Sequence, residues 1–236
     1  MKIKLIGTGA IYTRYNSACT LINDDLIIDV PNGTLKQMLK MGLDPAKIKT
    51  IIITHMHGDH TADIPFLLKY IFNYIKSKNE IKLIGPKGIR NKIVELSNAY
   101  NFENKEEIDE LFNVSYFEVE EDNEVLNING YSIKPVKVSH GLELAYGYVI
   151  NNILGLTGDS GMCDSLKYIF ENSKYIVTDA SLIEGDNCHL GINDIITLRH
   201  NSKIICTHVR DMTREKLKEL KLENVIIEED GFEIEI

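Results

Sequence analysis

A histidine-rich loop directly after a buried strand constrains this chain more than any other feature. The run Ile51-Ile52-Ile53 is apolar and β-branched without interruption, which predicts a strand buried on both of its faces. The next residues are Thr54-His55-Met56-His57-Gly58-Asp59-His60, so three imidazoles and a carboxylate lie at the carboxyl end of that strand. Functional residues of α/β proteins collect at this edge of the sheet. The stretch therefore predicts a metal site on an α/β scaffold.

The spacing of these side chains suits two metal positions. Residues two apart point to the same side of an extended chain, so His55 and His57 can meet at one ion. Gly58 permits a sharp turn that directs Asp59 and His60 toward a second position. Neutral imidazole and carboxylate are ligands of zinc and its first-row neighbours, whereas magnesium and calcium prefer a shell of oxygen atoms. A histidine-rich surface loop without metal is the alternative.

Length and composition set the bounds on organisation and location. The chain has 236 residues, of which 44% are hydrophobic, and we expect a single domain over residues 1–236. The formal charge of −9 disfavours a broad basic surface for nucleic acid. The first strand breaks at Gly7, too early for a signal peptide, and no apolar run has the length of a membrane span. The four cysteines lack Cys-x-x-Cys spacing, which favours reduced thiols. A cytoplasmic protein without a membrane partner is expected.

Strand and helix patterns alternate along the whole chain. The turn Asn23-Asp24 between two apolar runs predicts a β-hairpin. Residues 62–78 predict one helix with few polar positions, covered by the core or, as the alternative, by a second copy of the chain. A final strand pair is predicted at Val225 and Phe232. The many acidic residues over 103–125 are interpreted as a solvent-exposed edge of the fold without a functional role.

Two polar residues at element ends receive structural interpretations. Asp29 ends a strand, where a turn or cap role is favoured over a carboxylate that orients a ligand histidine. His200 is expected to be a surface residue at the end of a helix.

Three further polar residues follow strand-like runs. His140 comes after Val138, Asp159 after Thr157-Gly158, and His208 after Thr207. One such residue alone is more often structural than a ligand. Several at the same sheet edge can complete two metal sites, which need about three ligands each and a bridging carboxylate that Asp159 could supply.

The order of these motifs resembles the metallo-β-lactamase superfamily. It consists of Thr-His-x-His-x-Asp-His, an isolated His, Thr-Gly-Asp-Ser and a strand-end Thr-His, and it spans nearly the whole chain. The resemblance implies an α/β fold, an αββα sandwich of two mixed β-sheets flanked by helices. It also implies two divalent metal ions that share Asp159. The other ligands implied are His55, His57 and His140 for one ion and Asp59, His60 and His208 for its neighbour.

Within the superfamily, three stretches are similar to the ribonuclease Z and phosphodiesterase branch. They are Asp29–Thr34, Gly42–Pro45 and Tyr146–Tyr148. His189 matches a histidine that in this branch helps to protonate the leaving oxygen, with a helix-start residue as the alternative. The candidate catalytic residues are therefore Asp59 and His189.

The resemblance also bears on the size of the substrate. Ribonuclease Z commonly carries a long arm for transfer RNA between the positions of His140 and Asp159, and here only 18 residues separate them. Residues Tyr12, Arg14 and Tyr15 are predicted to stack on a base and pair with a phosphate, although a plain surface loop also explains them.

We therefore predict a dinuclear metal-dependent hydrolase, a phosphodiesterase acting on a small phosphodiester such as a cyclic nucleotide. Zinc is the expected metal, with manganese or iron as alternatives. A ribonuclease Z-like endonuclease acting on transfer RNA 3′ ends, a thioester or lactone hydrolase, and a non-catalytic metal-binding module are the alternative functions. RNA is disfavoured as a partner, and a homodimer is an open possibility.

Overall fold

The computed structural model describes most of the chain, namely residues 1–102, 112–120, 124–199 and 202–236. The predictions for His200 and for most of the acidic segment concern residues outside these ranges.

The described strands form two mixed sheets of seven strands each. The first sheet contains β1 (Lys2–Gly7), β2 (Cys19–Ile22), β3 (Leu26–Ile28), β4 (Thr50–Ile52), β5 (Ile81–Pro86), β6 (Val114–Val119) and β14 (Glu233–Glu235). The second sheet contains β7 (Leu126–Ile128), β8 (Tyr131–His140), β9 (Glu143–Ile150), β10 (Leu154–Leu156), β11 (Tyr175–Asp179), β12 (Lys203–Thr207) and β13 (Val225–Ile226). Their spatial orders are β14-β1-β2-β3-β4-β5-β6 and β13-β12-β11-β10-β9-β8-β7.

Helices cover the outer face of each sheet. The described α-helices are α1 (Thr34–Lys40), α2 (Gly58–Thr61), α3 (Ile64–Lys69), α4 (Ile89–Ala99), α5 (Ser165–Glu171), α6 (Ile192–Leu198) and α7 (Asp211–Leu220). Helices α1, α3 and α4 pack on the first sheet, and α5, α6 and α7 pack on the second. The inner faces of the sheets enclose a third apolar cluster, in which Ile52 of one sheet meets the buried Tyr148 of the other. This is the predicted αββα sandwich, and the fold prediction is confirmed.

The strand before the histidine-rich loop lies in the middle of its sheet. Strand β4 pairs in parallel with β3 on one side and β5 on the other, and its residues Thr50, Ile51 and Ile52 are buried. Both faces and both edges of β4 are therefore covered, and the strand holds the first residues of the following loop in place. The hairpin prediction is also confirmed, since Asn23 and Asp24 adopt φ of 48° and 64° in the turn between β2 and β3.

The helix predicted over residues 62–78 is shorter and irregular. Helix α3 starts at Ile64 and continues from Tyr70 to Tyr74 as a π-helical turn. The left-handed φ of 61° at Lys76 is incompatible with a continuing helix. The side chains of Leu67 and Leu68 are buried, whereas Tyr74 is 75% exposed. The ring of Tyr74 is thus open to solvent, and cover by a second copy of the chain stays a prediction.

The predicted pairing of the last two strands is wrong. Strand β13 lies beside β12 at the edge of the second sheet, whereas β14 lies beside β1 at the edge of the first. Both edges would otherwise leave backbone N–H and C=O groups unpaired, and each short strand supplies partners for one of them. No helix in the described ranges has the length and hydrophobicity that a membrane crossing requires.

Candidate metal centre and active site

The site lies where the strand ends of both sheets meet. Residues His55–His60 follow β4, His140 is the last residue of β8, Asp159 follows β10, and His208 follows β12. Each of these positions therefore ends or follows a strand that contributes buried residues to the core. The structure brings together all seven metal-ligand candidates of the sequence.

Three imidazole nitrogens converge at the first position. The Nε2 atom of His55 lies 3.0 Å from Nδ1 of His57, and Nε2 of His140 lies 3.2 Å from the same atom. Three nitrogens at this spacing match the ligand set of a zinc site that keeps a further position open for water or substrate.

A second set of atoms converges beside the first. The Oδ2 atom of Asp59 lies 3.4 Å from Nε2 of His208 and 3.7 Å from Nε2 of His60. The Oδ2 atom of Asp159 lies 3.2 Å and 3.4 Å from the same two nitrogens, and 4.0 Å from Nε2 of His55. Asp159 therefore faces both sets, as a bridging carboxylate must.

The Nδ1 atoms of four histidines are held by partners that accept a hydrogen bond. The four distances are His55 Nδ1 to Thr54 Oγ1 3.1 Å, His60 Nδ1 to Asp29 Oδ2 2.8 Å, His140 Nδ1 to the Cys188 carbonyl 2.8 Å, and His208 Nδ1 to Ser181 Oγ 2.7 Å. The Thr54 hydroxyl donates to Asp29 and the Ser181 hydroxyl donates to the His208 carbonyl, so each hydroxyl oxygen accepts from its imidazole. Such partners fix the tautomer that leaves the Nε2 lone pair free for a metal.

One buried atom tests directly whether cations fit this site. The Nε2 atom of His60 is buried without a hydrogen-bond partner, although Asp159 Oδ2 lies 3.4 Å away. A buried polar atom without a partner is costly unless an unseen group satisfies it. A divalent cation between His60, Asp59, His208 and Asp159 would do so, and the donor set of imidazole and carboxylate suits it.

The electrostatics of the site favour the metal-binding forms of His55 and Asp159 but a protonated His60. Burial lowers the pKa of His55 well below its ordinary value, so this imidazole is neutral. Burial would raise the pKa of Asp159, but the imidazoles of His208 and His60 outweigh it and lower the pKa well below its ordinary value. Burial opposes a charge on His60, yet Asp159 and Asp29 raise its pKa well above the ordinary value. A cation bound here would therefore displace a proton from His60.

Asp29 combines the turn role favoured from the sequence with the alternative role, since it also holds a candidate ligand histidine. Its carboxylate accepts hydrogen bonds from the Thr54 amide at 2.8 Å, the Thr54 hydroxyl at 2.9 Å and the His60 imidazole at 2.8 Å. Asp29 is a turn residue as well, with φ of 57°. The sequence showed the strand end but not the distant loop that packs against it.

Special backbone conformations position two of the ligand candidates. Gly158, directly before Asp159, has φ of 60°, and a Cβ atom there would lie 2.9 Å from Cβ of Thr54. Only glycine combines this conformation with such a close approach. His208 itself has φ of 53°, a strained value that occurs at functional sites.

A buried carboxylate missed by the sequence analysis holds the candidate proton donor. Asp179, the last residue of β11, accepts a hydrogen bond from Nδ1 of His189 at 2.9 Å and one from the Ser181 amide at 2.9 Å. The His189 ring stacks on that of His208, with centroids 5.1 Å apart. The signal that could have revealed Asp179 was available, because it ends an apolar strand just as His140 does.

The same carboxylate sets the charge of His189. Burial lowers the pKa of this imidazole, but the hydrogen bond to Asp179 and the negative charges of Asp179 and Asp159 outweigh burial and raise it. His189 is therefore stabilised as a proton donor. With Nδ1 bonded to Asp179, Nε2 is the atom that can transfer the proton.

An open cleft of about 1200 Å³ leads to these residues. His57, Asp59, His140, Asp159, His189 and His208 line the cleft, and three further segments of the lining are residues 10–13, 182–184 and 210–213. Of the three residues predicted to contact substrate, only Tyr12 lines the cleft. Arg14 and Tyr15 lie outside this lining, where Arg14 donates to the Tyr15 hydroxyl, which in turn donates to Glu229, as the alternative of a surface loop implies. The arginine that lines the cleft is Arg210.

Comparisons with known proteins agree with this architecture. Residues 1–229 match the profile of a family described as Anti-Pycsar protein Apyc1. Ribonuclease Z of Pyrococcus abyssi is 33% identical over 162 residues, which cover 63% of this chain and 47% of that protein. Ribonuclease Z of Streptococcus gordonii is 36% identical over 103 residues, which cover 40% of this chain and 33% of that protein. The matched segments thus span less than half the length of these relatives.

Solved structures share the fold at low sequence identity. A diphosphatase of the PhnP family superposes with a TM-score of 0.78 at 19% identity, covering 100% of this chain and 97% of its own. The short form of human tRNase Z superposes with a TM-score of 0.75 at 20% identity, covering 100% and 99%. The superfamily and the branch that the sequence motifs indicated are confirmed. The chain lies in the ribonuclease Z and phosphodiesterase branch of the metallo-β-lactamase superfamily, and it belongs to the family of the Anti-Pycsar protein Apyc1.

Proposed function

We propose that this metallo-β-lactamase-fold hydrolase is a dinuclear metal-dependent phosphodiesterase that acts on a small phosphodiester, such as a cyclic nucleotide. The observation that carries the proposal is the placement of two adjoining ligand sets, which share Asp159, beside the Asp179–His189 pair in one cleft. A site that only stored metal would need neither an open cleft nor an oriented proton donor.

Seven residues would hold the two ions. The first would be bound by His55, His57 and His140, the second by Asp59, His60 and His208, and Asp159 would contact both. Divalent cations bound in this way lower the pKa of a water molecule and offset negative charge on phosphoryl oxygens. Zinc is the metal we propose, with manganese or iron compatible with the same donors.

The protein's own residues supply the remaining steps. Asp59 lines the cleft, so its carboxylate is placed to accept a hydrogen bond from the attacking water. His189 donates the proton on Nε2 to the oxygen that leaves phosphorus, and Asp179 keeps the ring oriented through Nδ1. The leaving alkoxide is a poor leaving group without this proton.

The short connection between His140 and Asp159 supports a small substrate. Strands β8 and β9 are joined by a two-residue turn, and β9 and β10 occupy most of the remaining interval. No arm extends from this fully described interval. The charge of −9 also gives little support to RNA, whose tight binding requires several phosphate contacts.

Cleavage of transfer RNA 3′ ends is the second candidate function. It is favoured by the curated relatives named ribonuclease Z, which are 33% and 36% identical to the matched segments. The RNA-binding surface would then have to come from another part of the protein or from a partner.

Direct competition distinguishes the two functions. Protein loaded with zinc or manganese is offered a panel of cyclic nucleotides together with a 3′-extended transfer RNA at physiological salt. We expect turnover of cyclic nucleotides, loss of that turnover in His57→Ala, and no site-specific trimming of the RNA. Efficient trimming without turnover of any small diester would overturn the proposal. Thioester and lactone substrates serve as further negative controls.

Asp179→Asn is expected to change the pH dependence of the reaction. A raised pKa keeps His189 protonated to higher pH, and kcat falls as pH rises through that pKa. Removing the Asp179 charge lowers the pKa of His189, so the alkaline decline should move to lower pH, with kcat roughly 10- to 100-fold lower above neutral pH. The profile is measured with a cyclic nucleotide at saturating concentration, and metal content is measured in parallel. An unshifted alkaline limb would contradict the assigned role of Asp179.

A further inference from the structure

We propose that Tyr12 is a stacking platform for a planar heterocycle of the substrate, which makes it a specificity-determining residue. The inference rests on the proposed phosphodiesterase function and adds a statement about the part of the substrate that does not react. It concerns the lining segments 10–13, 182–184 and 210–213, which share the cleft with His57, Asp59 and His189.

These three segments carry large apolar side chains that are open to solvent, beside polar ones such as Glu184 and Arg210. Tyr12 is 92% exposed, and its neighbours in the cleft lining include Met212 at 73% and Ile183 at 42%. Large apolar side chains gathered in a cleft beside a reactive centre mark a binding surface rather than packing. An aromatic ring, a thioether and a branched aliphatic chain together suit the face of a flat ring.

The loop that carries Tyr12 is fixed at its base by the carboxyl-terminal segment. The Asp230 carboxylate accepts four hydrogen bonds of 2.8–2.9 Å, from the amide and hydroxyl of Thr8 and from the amide and side chain of Asn16. Arg214 donates to the Thr8 hydroxyl at 2.9 Å. The base of the loop is therefore held in place before any ligand binds, which reduces the entropy cost of ordering its backbone.

The two tyrosines of this loop have different surroundings. The ring of Tyr15 is covered by the guanidinium of Arg214 at 4.1 Å from its centroid, and its hydroxyl donates to Glu229. Tyr12 makes no ring contact or side-chain hydrogen bond within the described ranges. Tyr15 is thus engaged in the anchor, and Tyr12 presents a free ring face to the cleft.

The test compares substrates with and without the heterocycle. KM and kcat are measured for a nucleoside 3′,5′-cyclic monophosphate and for ribose 3,5-cyclic phosphate, which lacks the base. In Tyr12→Ala we expect KM for the nucleotide to rise roughly 5- to 150-fold, the range of a lost base–aromatic stack, with kcat little changed. The KM of the base-free diester should not change. Tyr12→Phe should behave like the wild type, because the ring makes the contact.

A matched control variant and a binding measurement complete the test. Tyr74→Ala removes an aromatic ring that is 75% exposed but lies outside the cleft lining, and it should leave both KM values unchanged. An unchanged nucleotide KM in Tyr12→Ala, or an equal rise for both diesters, would overturn the inference.

If the wild type hydrolysed neither diester, the proposed function would fail. Calorimetric binding of a nucleoside monophosphate and of ribose phosphate to the wild type and to Tyr12→Ala would then decide the inference, and equal affinities in the variant and wild type would overturn it.

Discussion

Replacing Asp159 with alanine is expected to abolish hydrolysis and to lower the metal content from about two ions per chain. Its Oδ2 atom lies within 3.2–4.0 Å of nitrogens in both ligand sets, so the substitution removes one oxygen from each ion. Two cations would then lie close together without a shared anion. Elemental analysis after gel filtration in zinc-containing buffer measures the loss, and phosphodiester turnover measures activity.

Two further variants make the Asp159 result specific. Asp159→Asn keeps the size of the side chain while removing its charge, and it should also lose metal, which separates a ligand effect from a packing defect. Asp164→Ala removes a carboxylate whose side chain is 97% exposed, and it should keep both metal and activity. Less than one ion in wild-type protein prepared with metal present would contradict the dinuclear assignment.

His189→Ala is expected to keep its metal while losing most of its turnover. The residue holds a transferable proton rather than an ion in our assignment, and loss of a general acid costs on the order of 10²–10⁴-fold in kcat. The loss should be large for a cyclic nucleotide, whose leaving oxygen is an alkoxide. It should nearly vanish for a p-nitrophenyl ester, because p-nitrophenolate leaves without a proton. Turnover of both substrates, measured beside metal content, gives the comparison.

The neighbour of His189 provides the control. The Cys188 backbone carbonyl, and not its thiol, accepts the hydrogen bond from His140, so Cys188→Ser should retain activity. Loss of metal from His189→Ala would refute our ligand assignment. It would instead support the alternative donor group of Asp159, Asp179, His189 and His208, whose ligand atoms also lie within 4.8 Å of one another.

Much of the site could be predicted because its residues occur at the ends of strands that the sequence identifies. An uninterrupted apolar run such as Ile51–Ile53 fixes a buried strand, and the position directly after it must lie at the sheet edge. The same reasoning placed His140, Asp159 and His208. Asp179 follows the same rule but was missed, because a single carboxylate at the end of a strand, without a histidine or a motif beside it, does not differ from a structural residue.

Other features could not be predicted because they depend on contacts between distant segments. The role of Asp29 requires the approach of His60, 31 residues away in sequence. The separation of β13 and β14 follows from which sheet edges lack a partner, which a local pattern does not encode. Likewise, the anchoring of Tyr15 depends on Arg214 and Glu229, so the sequence alone could not distinguish it from Tyr12.

The division of the cleft between strand ends and loops has a consequence for how its specificity can change. The ligand candidates follow strand ends that both sheets hold in place, whereas other parts of the lining come from residues 10–13, residues 182–184 and the segment 210–213 at the start of α7. Exposed lining residues such as Tyr12 and Met212 can be exchanged without moving a ligand atom. Laboratory evolution toward a new diester should therefore accumulate substitutions in these three segments, while the histidines and aspartates among the ligand candidates stay invariant.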